Sequence, residues 1–295
     1  MASWLWIPVT VWAAFAQTVR NAAQRHLSAE LGTLGATLVR FLYGVPFAAA
    51  WFFLVKAWSG AAVPSPAGAF FGWVLLGCVT QIAATALLLR TMRERNFALG
   101  VAYSKTEVLQ VAVFGLAFLG DPITPPAALA VATGSAGVFL LSPGWRSAFS
   151  SKTAFLGLAC GGLFALSAVG YRGATLTLHG APFALVAAYT LLVAQVLQTL
   201  LLGGGLLVKN RAVVVRVLRA WRVSLFAGFM GAAASAGWFT AFAIEPVAHV
   251  RTLGLIELVF SYLVSRRLFS EKLSAPELAG MALLALGVAV ITVAR

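Results

Sequence analysis

The sequence predicts an all-α integral membrane protein, with ten transmembrane helices arranged as two inverted five-helix repeats. Three observations predict it: a composition too apolar for a soluble fold, ten apolar runs of spanning length, and a self-similarity at half the chain length. Of 295 residues, 61% are hydrophobic and 10% charged, and the mean hydropathy is +0.94. Soluble domains run at about 45–50% apolar and about 25% charged. The chain has too few polar side chains to cover a soluble core, so lipid is the solvent for most of it.

A helix needs about 20 apolar residues to cross the hydrocarbon of a bilayer. Ten such runs lie at roughly 4–22, 33–55, 69–89, 97–118, 125–142, 153–171, 182–207, 223–244, 247–265 and 275–294. Short connections separate them, and Gly and Pro punctuate several ends, as in 120–126, 142–144, 179–182 and 274–276. The first run lacks a basic leader, which makes it a retained helix rather than a cleaved signal peptide. No linker divides the chain, so residues 1–295 form one transmembrane domain.

Displacing the chain against itself by 149 or 150 residues aligns Phe15 with Phe164, Leu27 with Leu176, Glu107 with Glu257, Asp121 with Glu271, and Pro126 with Pro276. It also aligns Gly137-Val138 with Gly287-Val288. The repeats are therefore 1–147 and 148–295. Five spans is an odd number, so the second copy enters the membrane from the opposite side, as in many secondary transporters.

The 21 Lys and Arg outnumber the 8 Asp and Glu, for a formal charge of +13. The basic residues cluster between apolar runs, a topology signal rather than a nucleic-acid surface. The connections 1–2, 3–4, 5–6, 7–8 and 9–10 carry 15 of them, counting Arg20 with the first. The termini and the other connections carry Lys56, Arg172 and Arg295, which puts the odd connections in the cytoplasm and both termini outside. Arg40, Lys105 and Arg251 lie within spans.

The segments NFALGVAYSKTEVLQVAVFGLAFLGDPITPPAAL and VAHVRTLGLIELVFSYLVSRRLFSEKLSAPELAGMALLALGVAV carry a further pattern. In each, a helix leads to a short acidic turn, at Asp121 and Glu271, and then to a final helix containing Gly. With ten short-looped spans and the duplication, the chain resembles the drug/metabolite transporter superfamily, specifically its EamA-type members. The resemblance implies a multipass carrier that exports or exchanges small metabolites by alternating access through a central cavity. It implies a bacterial inner (plasma) membrane location, with membrane lipids and a small-molecule substrate as partners. Two features depart from the family: relatives are often described with cytoplasmic termini, and the first span lacks the essential acid of the four-helix members.

A charge at the centre of a span costs about 2.5–3.5 kcal/mol on insertion scales, so it faces a cavity or a partner. Glu107 and Glu257 are each the eleventh residue of their spans. Tyr103 precedes Glu107 by one turn, and Ser261 and Ser265 continue the face of Glu257. The acids suit proton coupling or compensation of a substrate amine, and equally a structural bridge to an Arg or a hydroxyl. Arg40 suits a cavity or a salt bridge, its fork of donors matching a carboxylate. Arg251, near a span end, is expected chiefly to snorkel to the headgroups. Lys105, two residues from Glu107, falls on another helix face and is not paired with it.

Gln195, Gln198 and Thr199 share one face of the seventh span, and Gln81 and Thr85 one face of the third. In lipid such amides bond another helix or a polar substrate, and helix bonding is the commoner outcome. Trp4, Trp6, Trp51, Trp58, Trp73, Trp145 and Trp221 fall near span ends as an interfacial belt. Trp12 and Trp238 lie deeper, and Trp238 reads as packing in preference to an aromatic wall for substrate. Gly134, Ser135, Gly137, Gly280 and Gly287 suit close packing between repeats or in a homodimer.

Cys78 and Cys160 sit in apolar runs as small core residues. The histidines His26, His179 and His249 are scattered, and neither a cofactor nor a metal is expected. Metalloprotease, hydrolase-elbow and phosphate-loop motifs are absent from the sequence, so enzyme activity is not expected. The expectation is a secondary transporter of small organic metabolites such as amino acids or amines. A lipid or lipid-linked carrier flippase is the rival, and an intramembrane enzyme the remote alternative.

Overall fold

The computed structural model describes residues 4–94, 104–105, 107–141 and 152–268, together with isolated positions between 275 and 290. Among these residues every regular element is helical. Among the described residues, six helical stretches are long and apolar enough to cross a membrane. The chain is thus a multi-pass helical membrane protein.

Helix α1 (Trp6–Leu42) and helix α2 (Val45–Ser59) make up the first stretch of 54 residues. A straight helix of that length would run about 80 Å, far beyond a bilayer core of about 30 Å. Instead α1 reverses at Gly32, where φ is 72° and ψ is 171°, a conformation only glycine adopts without strain. Gln24 Nε2 reports the reversal by donating to the carbonyl of Ala36 at 2.7 Å; a continuous helix would hold those residues about 18 Å apart. The first span therefore extends well past residue 22, to the turn itself.

The remaining elements are α3 (Gly68–Glu94), α4 (Glu107–Leu119), α5 (Pro125–Leu141), α6 (Lys152–Leu176), α7 (Phe183–Gln198), α8 (Gly204–Lys209), α9 (Arg211–Arg219), α10 (Trp221–Ile244), α11 (Val247–Leu253) and α12 (Glu257–Leu268). A π turn, Thr199–Gly203, joins α7 to α8, and a 3₁₀ turn, Gly254–Ile256, joins α11 to α12. The ninth apolar run is thus one helical stretch that tightens to 3₁₀ at 254–256. The tenth run lies largely outside the described residues.

Two pairings dominate the packing: α1 lies along α10, and α3 along α6. Each crossing is made close by glycine. A Cβ on Gly237 of α10 would sit 2.7 Å from Ala13 Cβ of α1, and one on Gly170 of α6 would sit 2.8 Å from the backbone nitrogen of Gly77 in α3. Backbone cannot move aside as a side chain can, so Gly170→Val is expected to cost about 3 kcal/mol by overpacking. Thermal unfolding of the purified protein checks this; an unchanged midpoint would contradict it.

One connection is itself structured. In α9, Val213, Val214 and Val217 are buried, while Arg211, Arg216 and Arg219 are exposed. The valines meet Leu31 and Gly35 beside the Gly32 reversal, and Tyr43 Oη donates to the Val217 carbonyl at 3.1 Å. This amphipathic basic helix has the character of an interfacial one. Trp4, Trp51, Trp58 and Trp221 are exposed as an interfacial belt requires, but Trp6 is fully buried. Trp73 also departs from the belt reading: its ring packs where a side chain at Gly173 would go.

Candidate functional site

The interior of the bundle carries a continuous chain of charged and polar side chains. Its hub is Glu257, wholly buried at the first position of α12, directly after the 3₁₀ turn. Gln17 Nε2 donates to Glu257 Oε2 at 2.6 Å and Asn21 Nδ2 to Oε1 at 3.0 Å, both from α1. Lys105 Nζ completes the set at 2.5 Å from Oε2.

Glu107 has the matching position at the start of α4, with Lys105 in the turn before it. Lys105 Nζ lies 3.6 Å from Glu107 Oε1, and Arg251 Nη1 lies 3.5 Å from the same oxygen. Lys105 therefore bridges both acids. The expectation that it faces away from Glu107 carried regular helical spacing through 97–118, whereas Lys105 sits in a turn. Tyr103, read as a neighbour of Glu107, lies outside the described residues.

Arg251 does not snorkel. It is 6% exposed, with its guanidinium carbon 4.6 Å from the Trp238 ring centre and 5.2 Å from that of Phe242. Trp238 Nε1 in turn donates to Gln17 Oε1 at 2.9 Å. A Cβ on Gly254 would fall 2.7 Å from the Trp238 ring. Trp238 is thus a polar and cation-bearing wall of the centre as well as a packed aromatic. Ser261, one turn beyond Glu257, is fully buried, and its hydroxyl has no partner among the described residues.

Two further cations enter from α1. Arg20 is 1% exposed and Arg40 is 2% exposed. Arg20 Nη2 donates to Asn21 Oδ1 at 2.7 Å, and Arg40 Nη1 to Thr85 Oγ1 at 3.1 Å. Their stems run side by side over Gly231, where a Cβ would lie 3.4 Å from Arg20 Cδ and 3.3 Å from Arg40 Cγ. Counting Arg20 with the first connection is corrected here, because the helix continues past it to residue 31. Gln17, Arg20 and Asn21 follow the i, i+3, i+4 spacing that marked the seventh span, and Gln24 extends it by a turn, so a stripe in α1 was there to be read.

The glutamines bond helices to one another. Gln198 Nε2 donates to Gln81 Oε1 at 2.7 Å and to Tyr171 Oη at 2.9 Å, and Tyr171 Oη donates to Gln81 Oε1 at 2.9 Å. Gln195 Nε2 donates to the Arg40 carbonyl at 3.0 Å. That carbonyl is free because the chain tightens at Tyr43-Gly44 ahead of Pro46, and the Gly44 N–H bonds Phe41 instead. A Cβ at Gly44 would strike the Gln195 amide. These contacts hold the second, third, sixth and seventh spans around the Arg40 backbone.

A separate ion pair stands apart from the centre. Arg172, counted from sequence with an external connection, lies inside α6 and is 8% exposed. Its Nε and Nη2 reach the two oxygens of Asp121 at 2.8 and 3.0 Å. Its Nη1 donates at 2.8 Å to the carbonyls of both Phe242 and Glu245, which end α10. His249 Nδ1 lies 2.6 Å from Glu245 Oε1 nearby. Cys78 and Cys160 are buried and unbridged. Among the described residues, no three His, Cys, Asp or Glu side chains gather as a metal site.

The fold and this centre define a multi-pass helical membrane protein that buries ionisable groups from both halves of its chain. No protein-family model matches the chain, and no curated protein matches it. Solved structures share its fold. One, a crystal structure of a protein, aligns over 99% of this chain and 97% of its own, with a TM-score of 0.65 and 15% sequence identity. Identity that low is evidence of fold alone.

Proposed function

We propose that the chain is a secondary transporter of small organic metabolites: a ten-span, EamA-type carrier of two inverted repeats, working by alternating access in a bacterial inner membrane. The observation that carries this reading is the buried charged centre that brings Glu107 and Glu257, one from each half, together through Lys105. Secondary transporters place their sites inside the bundle near the midplane, where helices of the two repeats meet. Buried ionisable groups in a membrane protein mark such pathways by default.

The packing is consistent with the repeat. Adding five to the span number turns the α1–α10 pair, spans one and eight, into the α6–α3 pair, spans six and three. It also turns the contact of α4 with α6 into that of α11 and α12 with α1, and both members of each relation are present. Glu107 and Glu257 already have cationic neighbours, which favours a coupling or charge-compensating role over direct capture of a substrate amine. Moving Arg20 and Arg172 into the bundle takes one basic residue from each side of the topology count, so the charge asymmetry persists.

Counterflow in proteoliposomes tests the proposal, with unlabelled amino acids, amines, sugars and organic acids loaded in turn and labelled uptake followed. Uptake above protein-free vesicles for any class is the expected result. No uptake with any class, from protein shown to be folded, would overturn it. One observation favours the flippase rival: a lateral apolar groove of about 590 Å³ lined by Trp12, Phe47, Trp51, Leu54 and Phe229, most of them exposed. Labelled-lipid translocation in the same vesicles would support that rival.

A further inference from the structure

We propose that Arg20 and Arg40 receive an oxyanion, a carboxylate or a phosphate, of the transported metabolite, so that the substrate class is organic anions. This inference rests on the carrier reading and deepens it. The first ground is charge. Among the described residues the centre holds four cations, Arg20, Arg40, Lys105 and Arg251, against two carboxylates, Glu107 and Glu257. All six are at most 6% exposed. A buried excess of two positive charges is costly in a bundle surrounded by hydrocarbon, unless an anion joins it.

The second ground is which donors are left over. The carboxylates are met by Lys105 and Arg251, and the arginines of α1 contact neither directly. Arg20 Nε and Nη1 and Arg40 Nε are buried without a hydrogen-bond acceptor. Each guanidinium spends one arm on a neutral oxygen, of Asn21 or Thr85, which fixes the fork and leaves its other donors unused. The stems of the two arginines run side by side over Gly231, and each guanidinium offers the planar fork of donors by which arginine binds carboxylate and phosphate. An amine would add a fifth cation, and a neutral sugar would leave the excess charge untouched.

Equilibrium binding to the purified protein in low-chloride detergent solution tests the site without requiring transport. Succinate and glycerol 3-phosphate are the oxyanion probes, with leucine and putrescine as the zwitterionic and cationic ones. At least one oxyanion is expected to bind about tenfold or more tighter than leucine and putrescine, and the ranking of the two assigns carboxylate or phosphate. Arg20→Gln and Arg40→Gln are each expected to weaken that binding about tenfold or more, a loss typical of a desolvated charge-assisted contact. Without ligand, Arg20→Gln is expected to unfold no earlier than the parent, because an uncompensated buried charge has been removed; a purely structural arginine would show the opposite.

Tighter binding of putrescine or leucine, or oxyanion binding unaffected by both substitutions, would overturn the inference. Should Arg20→Gln not fold, Arg20→Lys keeps the charge and loses the fork, and undiminished oxyanion affinity in that variant would overturn it equally. The two readings fail separately. Oxyanion binding without counterflow of any solute would sink the carrier and leave the anion site, while counterflow of an amine without oxyanion binding would do the reverse.

Discussion

Glu257→Gln is expected to abolish transport and to destabilise the protein by about 3–5 kcal/mol, the usual cost of breaking a buried ion pair from one side. Glu257 accepts from Gln17, Asn21 and Lys105 at once, so it joins α1, the turn before α4, and α12 at one carboxylate. A glutamine keeps the shape and one acceptor oxygen but cancels the charge, which raises the positive excess of the centre from two to three. Lys105→Gln in the same chain restores the balance, and the double variant is expected to recover stability while remaining inactive. Thermal unfolding in detergent, beside counterflow, measures both quantities. The assignment fails if Glu257→Gln is as stable as the parent, or if the double variant is less stable than the single one.

Asp121→Asn is expected to lower stability by a similar amount, about 3–5 kcal/mol, and to leave substrate affinity near that of the parent. Its carboxylate takes two arms of Arg172, whose third arm binds the carbonyls at the end of α10. Asp121 Oδ2 also faces the backbone nitrogen of Val247 at 3.4 Å. The pair therefore ties the α4–α5 connection, α6 and the α10–α11 turn together, outside the charged centre. Leaving Arg172 buried without its anion is the source of the cost, and Arg172→Gln added to Asp121→Asn is expected to return part of it. A folded Asp121→Asn protein whose substrate affinity falls as far as that of Glu257→Gln would join this pair to the transport site and contradict the separation.

The parts of the site that were legible in the sequence are those whose signal is local. A carboxylate in the middle of an apolar run is visible without any partner, and Glu107 and Glu257 both proved buried. Amides at i and i+3 announce a helix face, and Gln81, Gln195 and Gln198 all bond across helices. Partners were another matter. Lys105 was set aside because helical spacing was carried through a turn, and Arg251 was expected to snorkel because it lies near the end of its apolar run. A turn resets the rotation, so the Lys105 ammonium and the Glu107 carboxylate two residues on can meet.

The ends of the spans misled in a related way. Hydropathy ends a span at its first charges, which put Arg20 and Arg172 in connections, whereas the chain ends its first helix where the backbone turns, at Gly32. Hydrophobicity measures the average cost of placing a residue in lipid, and that cost disappears for a charge which meets other charged groups inside the protein.

Composition and run length alone sufficed for a helical membrane protein, because the requirement that every backbone polar group be satisfied in hydrocarbon leaves an apolar chain of this length little choice but helices. The sequence also marked where acids sit in those helices. Which cations meet them, and that two arginine forks each keep donors without an acceptor, depends on residues more than two hundred positions apart, such as Asn21 and Glu257, meeting across helices. Such encounters follow from how packed helices cross and where they break, and no local pattern encodes them.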